Sequence, residues 1–290
     1  MTSVAVLRAG PLLTVQDLGR PGLAHLGVPP SGAADRAALE LGNALVGNAP
    51  GAAGLEATLV GPTLRFDGGA LVAVTGADAG ARLDERPLPP GVARVGELLE
   101  LGPCRGGVRA YVSIRGGVAA ESVLGSRSHD QLTGLGPPPL RDGDVLPLGL
   151  VTDCHEPLQH EPARRDELVT DCYLRVVPGP RDDWFAPAAL EALTRTTWRV
   201  SPASNRIGTR LEGPPLERTR QDELLSEGVV TGAIQVPPGG RPILLGPDHP
   251  TTGGYPVLAV VVADDLSRAG QLAPGATVQF SIVTSVPIGV

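Results

Sequence analysis

The 290 residues carry 31 acidic and 24 basic side chains, for a net charge of −7. An acidic chain has no general attraction for phosphate backbones or anionic lipid, which argues against nucleic-acid and membrane-surface roles. Hydrophobic residues reach 42% but aromatics only 3%, so any core rests on Val, Leu, Ile and Ala, and the length suits two domains of about 100–150 residues each.

The 39 glycines and 30 prolines punctuate short apolar runs, the pattern of many strands joined by many turns. In chain order, strands are expected at 4–9, 58–66, 70–75, 107–114 and 144–148. A second set follows at 173–177, 197–201, 233–236, 242–245, 257–262 and 276–283. Each is a β-branched or leucine-rich run bounded by Gly, Pro or Asp. The stretch 10–31 is expected to lack regular structure because of its glycines and prolines. Helices are few. The first is expected at 34–46, capped by Ser31, with Ala37, Leu41 and Leu45 recurring at i, i+4 and i+8. Pro187 suits the first turn of a helix over 187–194, and a short helix is expected at 264–269.

The two halves echo each other. VPPSGAADR at 28–36 and LEATLVGPTLRF at 55–66 are answered, in the same order, by VSPASNR at 200–206 and LEGPPL at 211–216. This implies a duplicated β domain, one copy over 1–165 and the other over 171–290, joined through the polar segment 152–170. A cleft between two copies is a common place for a small-molecule substrate.

The N-terminal MTSVAVLRAGPLLTVQD lacks a basic start and a long apolar run, and the longest apolar run, at 255–263, is far short of the roughly 20 residues of a membrane span. A soluble, cytoplasmic protein is expected. Cys104, Cys154 and Cys172 are odd in number and widely spaced, which suits reduced thiols. Every basic residue is arginine. Without lysine this sequence has no P-loop amine, no Schiff-base amine and no acceptor for covalent biotin. There is also no Gly-x-Ser-x-Gly elbow and no Gly-x-Gly-x-x-Gly after a strand.

Three segments combine turn-formers with polar side chains. The first, 10–31, holds Gln16, Asp17, Arg20, His25 and Ser31. Loops on a rigid scaffold often carry sites, and Asp17 or His25 is the candidate general base; the plainer reading pairs Asp17 with Arg20 and leaves His25 on the surface. The second, 201–213, offers the Asn205 amide and the Arg206 and Arg210 forks, suited to carboxylate or phosphate, or simply two surface arginines. Gly208 argues against a helix that would align them. The third, 226–255, places Gln235 where a strand should be apolar and gathers Asp248, His249, Thr251, Thr252 and Tyr255. It suits acid–base or anion-binding work, or a turn whose Asp and Thr side chains bond the backbone. Cys154, His155, His160 and Cys172 are zinc-ligand types, but their spacing matches no usual closed site, so no metal is expected.

These segments resemble a known family. TVQDLGRPGLAHLGVPPSGAADR at 14–36 is similar to the N-terminal signature of the KipA-like, biotin-dependent carboxyltransferase family. RVVPGP at 175–180, SNRIGTRLEGPPL at 204–216, SEGVVTGAIQVPPGGRPI at 226–243 and DHPTTGGYPVLAVV at 248–261 continue the match in order over nearly the whole chain. The resemblance implies a mainly β fold of two cyclophilin-like β-barrel domains with a few short helices. It implies a role in an ATP-dependent 5-oxoprolinase, opening the 5-oxoproline lactam to L-glutamate with two partners, a KipI-like B component and an A component. ATP would be co-substrate of that complex, with no biotin attached to this chain. The alternatives it leaves are a binding module that sequesters a KipI-like kinase inhibitor, and a carboxyltransferase served by a separate biotin carrier, as in urea amidolyase and allophanate hydrolase subunit 2. Catalytic work would fall to Asp17, His25 and Gln235. Substrate contacts would fall to Gln16, Arg20, Ser31, Asn205, Arg206, Arg210, Asp248, Thr251, Thr252 and Tyr255. One departure is His249–Pro250, where the family pattern has a basic residue followed by Gln.

Overall fold

The computed structural model describes residues 2–151, 155–158 and 171–283. Most of the predicted join, with Cys154 and His160, lies outside the described residues. By its contacts the chain forms two units, Met1–Pro21 with Ser31–Leu168, and Gly22–Pro30 with Val169–Val290.

The first unit contains β1 (Ser3–Arg8), β2 (Leu12–Gln16), α1 (Arg36–Leu45), β3 (Gly54–Thr58), β4 (Thr63–Asp78), β5 (Arg82–Leu83), β6 (Arg86–Pro87), β7 (Ala93–Glu100), β8 (Arg105–Ile114) and β9 (Val145–Pro147). They make a nine-stranded sheet in the order β2-β3-β8-β4-β7-β5-β6, with β1 joined to β4 and β9 to β1. Every pairing in it is antiparallel. Alternate residues of these strands, among them Val6, Leu13, Leu55, Leu64 and Val112, are fully buried in one aliphatic core.

The second unit contains β10 (Asp171–Pro178), α2 (Ala189–Arg195), β11 (Trp198–Val200), β12 (Gly208–Glu212), β13 (Glu227–Gly228), β14 (Ala233–Gln235), β15 (Ile243–Leu245), β16 (Thr252–Gly253), β17 (Val257–Val261), α3 (Leu266–Ala269) and β18 (Thr277–Ile282). Seven strands close into a barrel, β10-β17-β14-β15-β12-β11-β18, sealed by the parallel pair β10–β18. Closure removes the open sheet edges. The barrel is filled by Leu174, Val176, Trp198, Leu211, Ile234 and Phe280. Trp198 keeps its indole satisfied by donating Nε1–H to Leu193 O at 2.9 Å. The chain is mainly β, as expected.

Several local expectations need correcting. Leu12–Gln16 is a strand inside the stretch expected to be irregular, because five residues between two Gly/Pro clusters suffice to pair with β3 along its length. The expected strand 58–66 is broken: β3 ends at Thr58, Leu59 turns at φ 67°, and β4 begins at Thr63 and runs unbroken through the second expected strand. The cap of α1 is Asp35, not Ser31; its Oδ1 accepts from Ala38 N at 3.0 Å.

The start of α1 is anchored from the sheet. Glu56 on β3 is 1% exposed. Its Oε2 accepts from Tyr111 OH at 2.7 Å and from Ala34 N at 3.0 Å, while Oε1 lies 3.3 Å from Arg109 Nε. The same Tyr111 oxygen accepts from Asp35 N at 2.8 Å. Burial, reinforced by the Glu56 charge, pushes the phenol well above its usual range, so Tyr111 stays a neutral donor. Glu56→Ala removes the carboxylate facing Arg109 and the acceptor of two buried donors, and should destabilise the protein by about 3–5 kcal/mol in urea unfolding.

Candidate functional site

In the second unit, β12, β15 and β14 run side by side. Their register sets Arg210 opposite Ile243 and Ile243 opposite Gln235. Directly paired residues share one face of a sheet. Leu211, Leu244 and Ile234 alternate with them and fill the barrel. Arg210, Ile243 and Gln235 therefore form a row on the outer wall, with Arg210 exposed at one end and Gln235 5% exposed at the other. Two strand spacings separate the guanidinium strand from the amide strand, about 9–10 Å.

The Gln235 amide is held by the third polar segment. Its Nε2 donates to Tyr255 O at 3.2 Å. A Cβ at Gly253 would lie 2.5 Å from that nitrogen, so any larger residue there would push the Gln235 amide aside. Strand β13 pairs with β16, setting Glu227 against Gly253 and Gly228 against Thr252, and Val229 N donates to Thr251 O at 3.1 Å. Thr252 and Tyr255 are exposed and Thr251 half-buried.

Arg206 and Asp248 are committed to each other. Arg206 is 1% exposed and Asp248 fully buried. Nε meets Oδ2 at 2.7 Å and NH2 meets Oδ1 at 3.0 Å, a two-pronged fork, and Asp248 N donates to Arg206 O at 3.2 Å. The fork welds the loop before β12 to the loop after β15. Asn205, exposed, accepts Ile207 N and Gly208 N on its Oδ1 and so shapes the turn into β12. His249 is buried, with Nδ1 2.7 Å from Pro250 O, to which it donates. The chemistry offered on this wall is one exposed guanidinium, amides and hydroxyls: an anion-binding set.

The first unit ties up most of the other predicted residues. Asp17 is buried, and its carboxylate accepts from Gly19 N at 2.7 Å, Ser126 Oγ at 2.6 Å, Ser128 Oγ at 2.5 Å and Arg127 N at 2.6 Å. Arg20 donates Nε to Val123 O and NH2 to Ser128 O at 2.6 Å. Gln16 Nε2 and Ser31 Oγ both donate to His129 O, at 3.0 and 3.1 Å. Ser31 sits at φ 53°, a left-handed conformation that a non-glycine residue holds only when its surroundings demand it. The following Gly32, at φ 91°, lies so close to the chain that a Cβ would be 2.8 Å from Gly19 N. His25 falls in the other unit, exposed, with Nδ1 3.1 Å from Gly22 O. Sequence reasoning missed the segment 123–130, which supplies most of these partners; its signal was another polar run, SRSHD, just after a glycine. Gln16 Oε1 and Asp130 Oδ2 are buried without a hydrogen-bond partner among the described residues.

Among the described residues no cluster of His, Cys, Asp and Glu has a metal-holding arrangement. No helix there is long and apolar enough to cross a membrane. Burial pushes the Cys104 and Cys172 thiols up to about 11, too high for a nucleophile at neutral pH.

A family model described as carboxyltransferase domain, subdomain A and B, matches residues 26–282. The chain belongs to this carboxyltransferase family. It is 37% identical to the C subunit of 5-oxoprolinase from Escherichia coli strain K12, over 95% of this chain and 89% of that one. It is 34% identical to the urea amidolyase of Lachancea kluyveri, over 95% of this chain but only 16% of the relative. Among solved structures, the K. lactis urea amidolyase superposes with a TM-score of 0.88 at 32% identity, covering 97% of this chain and 19% of that one. The chain spans under a fifth of the length of these two relatives.

Two outcomes test this site. Arg206→Ala removes the two-pronged ion pair from the buried Asp248 carboxylate, and should cost about 3–5 kcal/mol in urea unfolding rather than act first on ligand affinity. In the native protein at pH 8, peptide mapping after iodoacetamide should find Cys104 and Cys172 unmodified, since the thiolate fraction at either is small.

Proposed function

We propose that the chain is one component of an ATP-dependent 5-oxoprolinase that opens the 5-oxoproline lactam to L-glutamate, working with a KipI-like B component and an A component. The observation that supports it most is sequence similarity: the C subunit of the Escherichia coli 5-oxoprolinase is matched at 37% identity over 89% of its length, and the two urea amidolyases at 34% and 31%. The C subunit of the Haemophilus influenzae 5-oxoprolinase is likewise matched over 88% of its length at 33% identity.

A lactam amide is unreactive towards water. Phosphoryl transfer from ATP to its carbonyl oxygen makes the carbon electrophilic and releases ADP; one water adds, the C–N bond opens with the proton going to nitrogen, and a second water hydrolyses the resulting acyl phosphate to carboxylate and phosphate. The reaction needs cations for the substrate carboxylate and for the transferring phosphoryl group. With no lysine in the sequence, guanidinium groups are the side-chain cations this chain can supply. Arg206 is spent on Asp248, so we assign that contact to Arg210, with Gln235, Asn205, Thr251, Thr252 and Tyr255 orienting the ligand. Asp17 has four donors on its carboxylate, so its role is to hold its own loop, together with Gln16, Arg20 and Ser31. His25, exposed, is the candidate general base. ATP is the co-substrate of the complex.

A second reading is a carboxyltransferase acting on a group delivered by biotin. The urea amidolyase similarity favours it, and with no lysine in these 290 residues the biotin would be carried elsewhere. Co-purification with the KipI-like protein and the A component, followed by assay of glutamate release from 5-oxoproline, separates the two. ATP-dependent release that disappears when this chain is left out is the expected result. A stable complex that releases none, but accepts carboxyl groups from a biotin carrier, would replace the first reading with the second. Within an active complex, Arg210→Ala should lower release at least tenfold with an unchanged thermal midpoint.

A further inference from the structure

Leu225 has the largest exposure among the exposed large apolar side chains of the described residues, at 88%. It stands at the lip of a cleft of about 390 Å³ in the second unit, lined by Arg181, Trp184, Arg220, Leu224, Glu223 and Glu227. Trp184, 7% exposed, is the apolar wall; the guanidinium carbons of Arg218 and Arg220 each lie 5.7 Å from its ring centroid.

Two of the cations here are ion-paired: Arg181 places Nε at 2.9 Å and NH2 at 2.6 Å from one oxygen of Glu227, and Arg220 NH2 lies 3.2 Å from Asp183. The third, Arg218 over Trp184, has its buried Nε without a hydrogen-bond partner among the described residues. Carboxylates still outnumber guanidinium groups here, Asp183, Asp222, Glu223 and Glu227 against Arg181, Arg218 and Arg220. The second oxygen of Glu227 is buried and accepts from nothing among the described residues. Asp222 and Glu223 are exposed and make no ion pair there. A buried carboxylate oxygen without a donor carries a free-energy cost that an incoming N–H removes. The complement of an apolar wall with leftover acceptors is a side chain with an apolar stem and a cationic head, an arginine or a lysine. Tryptophan and arginine beside a solvent-exposed leucine also match the make-up of protein-interface hot spots. The cleft opens to solvent at Arg220 and Leu225 and does not enclose a small molecule.

We propose that this cleft is the docking site for a basic side chain of a partner protein in the complex, with Leu225 as the apolar anchor beside it. The inference rests on the multi-component reading above and locates its contact. Because β13, which carries Glu227, pairs with β16, which carries Thr252, an occupant here would brace the loop that holds Gln235.

The absence of lysine makes a sharp test possible. A zero-length carbodiimide condenses a carboxylate with an amine, so a bond at Glu223 or Glu227 reports an amine from another chain or from the N-terminus, and peptide mapping tells these apart. The probe is the purified KipI-like protein, titrated by calorimetry against the full wild-type chain, Leu225→Asp and Glu223→Gln/Glu227→Gln. Leu225 is exposed, so its variant should keep the wild-type thermal midpoint. Tenfold or weaker binding by both variants, with any cross-link falling on Glu223 or Glu227, is the expected result. Wild-type affinity in both variants would overturn the inference while leaving the functional reading intact. Self-association of this chain that Leu225→Asp abolishes would assign the cleft to a second copy and overturn it as well. If the wild type neither binds the KipI-like protein nor supports glutamate release, the functional reading fails and this inference falls with it.

Discussion

A charge taken out of water must be matched where it lies, and three buried carboxylates set the terms for this protein. Asp248 faces Arg206, Glu56 faces Arg109 and the Tyr111 hydroxyl, and Asp17 faces two serine hydroxyls and two backbone amides. Each joins segments distant in sequence. An unpaired member would cost several kcal/mol, a large share of an ordinary domain's stability, so these loops are held to one arrangement. Hydrophobic burial closes the barrel and fills the sheet, but it is non-directional; the buried ionic contacts position the loops.

The consequence for function is a division of labour among polar residues. Arg206 and Arg210 belong to one short motif, yet one is a weld and the other an exposed guanidinium. The difference arises at Gly208, where β12 begins. Beyond it the chain alternates faces, so Leu211 enters the barrel and Arg210 remains outside, in register with Ile243 and Gln235. A site built on strand registers inherits the rigidity of the barrel wall. The acid–base chemistry is less well supplied than the anion-binding chemistry, since Asp17, Asp248 and His249 are all engaged in holding loops.

The acidic cleft around Glu227 and Leu225 has a different character from the welded loops. Arg181 and Arg220 are balanced by neighbouring carboxylates, and what remains includes an unpartnered oxygen of Glu227 beside exposed apolar surface. Such an arrangement is stable in isolation but not fully satisfied, which is what distinguishes a contact surface from a finished core.

The sequence by itself determined the fold class. Short β-branched runs cut by glycine and proline allow little besides strands and turns, and most strands of the second unit lie close to where that pattern puts them. It also determined which segments carry polar groups worth examining, and excluded lysine chemistry outright. It did not reveal β2, because Gly10, Pro11, Gly19 and Pro21 flank a five-residue run whose pairing with β3 is non-local. Nor did it show that Asp35 caps α1, or that 123–130 completes the loop around Asp17. Only the tertiary structure decided which arginine is free and which carboxylates are spent. Burial and partnership depend on residues some 40 to 110 positions apart, such as Arg206 with Asp248 and Asp17 with Ser128, and no local pattern encodes that separation.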